Sequence, residues 1–243
     1  MSDWPILVIN LERSPERLEH MVAMLPTFTR IEGVDGRPWQ APGEDATGRP
    51  LWNFADMEAL KDSGVMGDVH WFPLIPTEIG CALGHRAAWQ HIVDNEIPCT
   101  VVLEDDIDLT EHFHNTFEES VGLQGGFPAD ADVLFLQGRD AAYPNMSTDS
   151  QGHLTYGGGN YGYVITLEGA RKALKAQFPM YYPCDVQWWS VCFKDYKQDF
   201  GTLVPGIAKG YAYVVEHAIV KIALIGEKST MTEDGTKPWR RMN

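Results

Sequence analysis

The chain has 243 residues and carries 19 basic against 34 acidic side chains, a formal net charge of −15. All of that excess lies in residues 1–120, which hold 7 basic and 22 acidic residues, whereas residues 121–243 hold 12 of each. This balance argues against general nucleic-acid binding, which needs cations facing phosphates, and 8 Trp, 9 Tyr and 10 Phe argue against disorder.

In chain order, Pro5–Leu11 is a short apolar run that reads as a strand buried on both faces. Ser14 and Pro15 then supply N-cap and first-turn signals, and Leu18, Met21, Val22 and Leu25 form a helical stripe stopped by Pro26. Phe28–Val34 reads as a second strand closed by Asp35-Gly36. Residues 37–75 are irregular, with one short helical stretch at Asn53–Lys61. Thr77 is placed to cap a second helix carrying Ile79, Leu83, Ala87, Trp89, Ile92 and Val93, bounded by Pro98. Cys99–Leu103 is a strong buried strand that runs into Glu104-Asp105-Asp106-Ile107-Asp108. Asp132–Gln137 and Tyr161–Ile165 read as further strands, separated by a polar loop over 138–160 that ends in a glycine run. Thr166 caps a helix with Leu167, Ala170, Leu174 and Phe178 on its stripe. Tyr211–Val215 is the last strand, followed by a polar tail over about 226–243. Alternating strands and helices without a long linker imply one α/β domain over 1–243 with a mainly parallel sheet.

No stretch reaches the roughly 20 apolar residues that span a bilayer, and the N-terminal sequence lacks the pattern of a secretory signal. Cys81, Cys99, Cys184 and Cys192 form no C-x-x-C pair. They read as reduced, mostly buried thiols of a cytoplasmic protein. Lys237, Trp239, Arg240 and Arg241 allow at most peripheral membrane contact.

The acidic run after Leu103 carries the chemistry. A strand ending in Glu104, Asp105 and Asp106 puts carboxylates at the edge where open α/β sheets bind ligands. Their mutual repulsion is relieved by a divalent cation, and oxygen ligands suit Mg²⁺ or Mn²⁺. Strand alternation would point Glu104 and Asp106 to one face and Asp105 to the other. A solvated acidic loop is the plainer alternative. Asn10 and Leu11 end the first strand at the same edge, with Arg13 and Arg17 in reach of a phosphate or a base. Val34 and Asp35 follow the second strand, where a carboxylate could hold a ribose or a base. Tyr156 to Tyr161 could approach a ligand, act as a lid or form a flexible turn, and Tyr181-Tyr182 and Trp188-Trp189 could stack on a ligand or pack in the core.

Several segments stand in a telling order: Val8-Ile9-Asn10-Leu11-Glu12-Arg13-Ser14-Pro15-Glu16-Arg17, Gly33-Val34-Asp35-Gly36, Glu78-Ile79-Gly80-Cys81-Ala82-Leu83-Gly84-His85, Val102-Leu103-Glu104-Asp105-Asp106 and Gly162-Tyr163-Val164-Ile165. Together with a weaker match at Pro183-Cys184-Asp185, they resemble the family 25 glycosyltransferases, which include bacterial lipooligosaccharide and animal procollagen galactosyltransferases. The resemblance implies a GT-A-type, Rossmann-like nucleotide-sugar-binding domain. It also implies inverting transfer of a hexose, often galactose, from a UDP-sugar to a glycan, lipid-linked or protein hydroxyl.

On that resemblance Glu104, Asp106 and His217 would hold Mn²⁺ or Mg²⁺. Asn10, Leu11, Arg13, Arg17, Val34, Asp35, His85, Glu104 and Asp105 would contact the donor, and Asp185 would be the general base. Each has a plainer reading: a helix cap for Asp185, an exposed first-turn residue for Arg17, a turn for Asp35-Gly36, a satisfied core histidine for His85 and a structural one for His217. Gly84 stands where the family commonly carries serine. Two other functions compete. One is a non-catalytic binding module that keeps the fold. The other is a glycoside hydrolase, which would need carboxyls spaced about 5–10 Å apart across a sugar.

Overall fold

The computed structural model describes residues 4–36, 76–110, 113, 129–138, 147–150, 153–156, 159–177, 180, 183–185, 187, 212–214 and 219–223. The irregular stretch 37–75 with its short helix, Phe178, the Tyr181-Tyr182 and Trp188-Trp189 pairs, Cys192, His217 and the polar tail lie outside the described residues.

The apolar run at the start forms β1 (Ile6–Asn10), and α1 (Pro15–Met24) follows with Pro15 in its first turn. Ser14 takes the cap position, yet its side chain makes no capping hydrogen bond. The expected stripe is also turned. Val22 is 61% exposed, and Arg17 takes the inward position one turn before Met21. The reason is electrostatic, since Arg17 has buried acidic partners. β2 (Thr29–Glu32) is an edge strand with only Ile31 buried. The second helix, α2 (Pro76–Asp94), already includes Pro76, so Thr77 lies in its first turn rather than capping it. β3 (Cys99–Glu104) is followed by a bend at Asp105-Asp106 and then by β4 (Ile107–Leu109). β5 is Val133–Phe135. The loop predicted over 138–160 contains a small hairpin, β6 (Ser147–Thr148) with β7 (Leu154–Tyr156). β8 (Gly162–Thr166) leads into α3 (Leu167–Ala176), β9 is Ala212–Val214 and β10 is Val220–Ile222.

Six strands form the central sheet in the order β2-β1-β3-β8-β5-β9. β1 pairs in parallel with β2 and β3, β5 pairs in parallel with β9, and β8 runs antiparallel to both its neighbours. The sheet is therefore mostly parallel, as expected for a Rossmann-like α/β fold. β4 and β10, neither of which was read as a strand from the sequence, form a separate antiparallel pair.

Alternation along the strands divides the core. Leu7, Val102, Tyr163 and Ile165 face α2 and α3, together with Trp89 and Ala170. Val8, Val101, Leu103 and Val164 face the other way, with Met21 of α1, Leu25 at its C-terminal cap, Ile219 and Val220. Each such aliphatic burial stabilises by about 1.5–3 kcal/mol, which explains why continuous apolar runs end up in the middle of the sheet. The chain leaves β1 for β2 on one side and returns to β3 on the other. The crevice at that switch point, outside the strand ends, is the place where such sheets bind ligands. No helix among the described residues is long and apolar enough to cross a membrane.

The predicted cap of α3 is present: the Thr166 hydroxyl accepts from the Gly169 amide at 3.0 Å. The Asp132 carbonyl accepts the Thr166 amide and crowds Gly169, where a Cβ would lie 2.5 Å from that oxygen. Gly169→Ala should therefore destabilise the fold. Overpacking costs about 1–3 kcal/mol, more than the up to ~1 kcal/mol that alanine gains in a helix. In a chain of this size each kcal/mol moves the melting temperature by roughly 2–4 °C, so thermal denaturation should show a drop. An unchanged or higher midpoint would contradict the packing described.

Candidate active site

At the ends of β1, β2 and β3 lies a cleft of about 290 Å³. β1 and the start of α1 supply Ile9, Leu11, Arg13 and Arg17 to its lining. The segment after β2 supplies Gly33 to Gly36. α2 contributes Thr77, Glu78, Gly80, Cys81, Gly84 and His85, and the end of β3 contributes Glu104, Asp105 and Asp106. Gly159 to Tyr161 and Pro183 to Asp185 complete it. Sequence-distant segments can meet here because glycines allow close approach. A Cβ on Gly80 would lie 2.5 Å from the Val34 carbonyl oxygen and 2.8 Å from the Gly36 amide.

The three carboxylates do not follow strand alternation. The strand ends at Glu104, and the bend swings Asp105 and Asp106 onto the same partner. One nitrogen of the Arg17 guanidinium donates to Asp105 Oδ1 at 3.1 Å and to Asp106 Oδ2 at 3.2 Å. Arg17 is thus buried, not an exposed first-turn residue. Burial opposes its charge, but Asp106 and Asp105 outweigh burial and raise its pKa above the ordinary arginine value. The other oxygen of Asp105 accepts from Asn10 Nδ2 at 2.7 Å. That amide nitrogen also donates to the Ser14 carbonyl, while Asn10 Oδ1 accepts from Arg30 Nε at 2.9 Å. Asn10 ends β1 at this edge, as expected, but is not part of the cleft's lining. Its side-chain amide is bonded to Asp105, Ser14 and Arg30. Burial pushes the Asp105 carboxyl up despite these partners. Burial and the neighbouring Glu104 push Asp106 up to about 7.

Glu104 points to the α2 side. His85 Nε2 lies 3.0 Å from Glu104 Oε1, and His85 Nδ1 lies 2.9 Å from the Tyr163 hydroxyl, which accepts from Trp89 Nε1 at 2.9 Å. Trp Nε1 can only donate. The network is satisfied when Tyr163 donates to Nδ1 and the Nε2 proton of His85 points at Glu104, a tautomer assigned from the network. His85 is thus fully partnered in the core and still borders the cleft.

The remaining expected residues are distributed as follows. Leu11 and Val34 line the cleft, and Arg13 Nε lies 3.1 Å from Asp35 Oδ2. Asp185 lies inside a helical turn, since Gln187 N donates to the Pro183 carbonyl, so it is not a helix cap. Its Oδ2 accepts from the Gly159 amide at 2.9 Å. The described end of the glycine run is thereby pinned to the cleft wall, and Gly159 has the positive φ of 83° that favours glycine. His217 lies outside the described residues. Cys81 borders the cleft without having been singled out as a site residue from the sequence, whereas Asn160 and Tyr161 belong to the segment expected to approach a ligand. The i, i+4 spacing of Cys81 and His85 was the available signal.

Residues 3–125 match the family model described as glycosyltransferase family 25 (LPS biosynthesis protein). The chain belongs to glycosyltransferase family 25. Among its relatives, procollagen galactosyltransferase 2 of Homo sapiens is 26% identical over 185 residues, covering 70% of this chain and 27% of that protein. A glycosyltransferase 25 family member of Anopheles gambiae is 31% identical over 185 residues, covering 71% of this chain and 28% of its own length. Inactive glycosyltransferase 25 family member 3 of Homo sapiens is 26% identical over 187 residues, covering 71% of this chain and 29% of that protein. The matched stretch thus spans little more than a quarter of these relatives. The cleft of this family 25 chain is built largely from segments inside the matched region, with Gly159 to Tyr161 and Pro183 to Asp185 added from beyond it.

Two outcomes are expected from this charge arrangement. Arg17→Met leaves two carboxylates without their cation, and breaking a buried pair costs about 3–5 kcal/mol. Urea unfolding at pH 7.5 should show a loss of that order, shrinking at pH 5 where Asp106 is protonated. Asp106 keeps a proton in the fold up to about 7 that the unfolded chain releases near 3.8. Its contribution to stability therefore falls as pH rises through that window. The wild-type midpoint should decline from pH 5 to 7.5 more steeply than that of Asp106→Asn. Parallel declines would rule out the raised carboxyl.

Proposed function

We propose that this chain transfers a hexose, galactose foremost, from a UDP-sugar to a hydroxyl of a glycan, lipid-linked or protein acceptor, with inversion at the anomeric carbon. The observation that carries this reading is the carboxylate cluster at the switch-point edge. Asp105 and Asp106 share one guanidinium, Arg17, while Glu104 meets His85, so acidic groups outnumber the bonded arginine where a phosphate-bearing donor would bind. A divalent cation carries the charge that restores the balance, and the donor set is hard oxygen, which suits Mg²⁺ or Mn²⁺. Burial first, and then the neighbouring Glu104, raises the Asp106 carboxyl to about 7.

In this reading Glu104 and Asp106 hold the cation, which when bound would offset the charge growing on the departing diphosphate. Arg17 and Asn10 keep Asp105 and its neighbour in place. Leu11, Val34 and the Arg13–Asp35 pair wall the nucleoside side of the cleft. His85 holds Glu104 from the α2 side. Asp185 is the base that takes the proton from the attacking acceptor hydroxyl. The Gly159 amide donates to one oxygen of its carboxylate and so orients it. Transfer at a cytoplasmic site is part of the same proposal.

A second reading, a binding module that keeps the fold without turnover, is favoured by the relatives whose names include "inactive". The two readings separate in one experiment. UDP with Mn²⁺ should raise the melting temperature, since a ligand at one hundred times its Kd stabilises by about 2.7 kcal/mol. The shift should need the metal in the wild type and lose that dependence in Asp106→Asn. UDP release from UDP-galactose, even as slow hydrolysis, supports transfer. Stabilisation without any release from a panel of UDP-sugars supports the binding module. No stabilisation at millimolar UDP and Mn²⁺ would defeat both.

A further inference from the structure

We propose that Cys81, His85 and Glu104 form a second cation site in the cleft, a thiolate–imidazole–carboxylate set selective for a thiophilic divalent ion, Zn²⁺ foremost. Cys81 and His85 stand one helical turn apart on α2, and Glu104 ends β3. Their ligand atoms all lie within 4.8 Å of one another, and all three residues line the cleft. Zinc bonds of about 2.0–2.3 Å in a tetrahedron place ligand atoms about 3.3–3.8 Å apart. The His85–Glu104 contact of 3.0 Å must open by a few tenths of an ångström. The sulfur must close by up to about an ångström, which side-chain rotation supplies.

The surroundings suit such a site. A metal-bound histidine needs its second nitrogen held by a partner, and Tyr163, itself held by Trp89, stands at Nδ1. On binding, the Cys81 proton leaves to solvent and the His85 ring proton moves from Nε2 to Nδ1. The Tyr163 oxygen can then accept from both Nδ1 and Trp89 Nε1. Burial keeps the Cys81 thiol protonated in the absence of an ion, so the ion itself must displace that proton. Three protein ligands leave the fourth position open to the cleft, as in reactive rather than purely structural zinc sites. The sulfur distinguishes this set from the all-oxygen Asp105–Asp106 side, because thiolate favours Zn²⁺ and disfavours Mg²⁺ and Mn²⁺.

Glu104 is common to both sides of the cleft. Zinc held by Cys81 and His85 would withdraw it from the hard cation and inhibit transfer. That consequence rests on the transfer reading, whereas the site does not. Cobalt titration of the whole chain tests the site, because Co²⁺ bound by thiolate gives a charge-transfer band in the near ultraviolet. One cobalt per chain with that band, displaced by Zn²⁺ and not by Mg²⁺, is expected. Cys81→Ser, checked for its fold by circular dichroism, should lose the band, while Asp106→Asn should keep it. Tyr163→Phe should keep the band but weaken cobalt binding by about 10–100-fold. No band, or a band surviving Cys81→Ser, would overturn the proposal. A band in a chain that UDP and Mn²⁺ fail to stabilise would leave this site standing and remove the transfer reading. The opposite pair of results would remove this site alone.

Discussion

Arg17 stands between Asp105 and Asp106, and the edge of the sheet is arranged around that contact. A buried carboxylate without a partner is costly enough to unfold a domain, so the position of this guanidinium is decided before any ligand is considered. It sets the rotation of α1, which turns Arg17 inward and leaves Val22 in solvent. It also explains the use of Asn10, whose amide nitrogen bonds Asp105 while its oxygen accepts from Arg30. Five charged or polar side chains from β1, α1, β2 and the bend after β3 are tied into one network. The result is a rigid acidic edge that is only partly neutralised.

The other wall depends on close approach. α2 lies against the segment after β2 because Gly80 has no side chain to collide with the Val34 and Gly36 backbone. This brings His85 to Glu104 and links the cleft to the core through Tyr163 and Trp89. Each member of that chain is buried or satisfied by the next, so its geometry is fixed by packing as well as by hydrogen bonds. The acidic edge is thus gripped from two faces of the sheet, by an arginine on the α1 side and by a histidine on the α2 side. The family-matching segments are largely the ones that make these contacts.

Much of this was legible in the amino-acid order. β1 and β3 announce themselves as apolar runs, α3 by its Thr166 cap, and the acidic cluster by its place after a buried strand. Other parts were not. β4 and β10 are three residues each and pair across more than a hundred positions, too short to show a period. The β6–β7 hairpin hides in a polar loop for the same reason. The alternation expected of Glu104, Asp105 and Asp106 fails because the strand stops and the backbone bends. Cys81 looked like one more buried thiol, since nothing local says that its neighbour four residues on meets a carboxylate from another element.

The sequence by itself determined the strands of the central sheet, the main helices and the residue types at the cleft, because periodicity, capping and apolar content act over a few residues. Only the tertiary structure decided how the acidic excess is distributed. Arg17 is 88 residues from Asp105, Asn10 is 95 from it, and His85 is 19 from Glu104. Charge pairing depends on distance in space, and no local pattern encodes which of many arginines will be buried against which acids. The net charge of −15 first counted against phosphate-bearing partners. The fold sets two of those acids on one arginine and a third on a histidine, and this concentrates a general excess at one edge of the sheet.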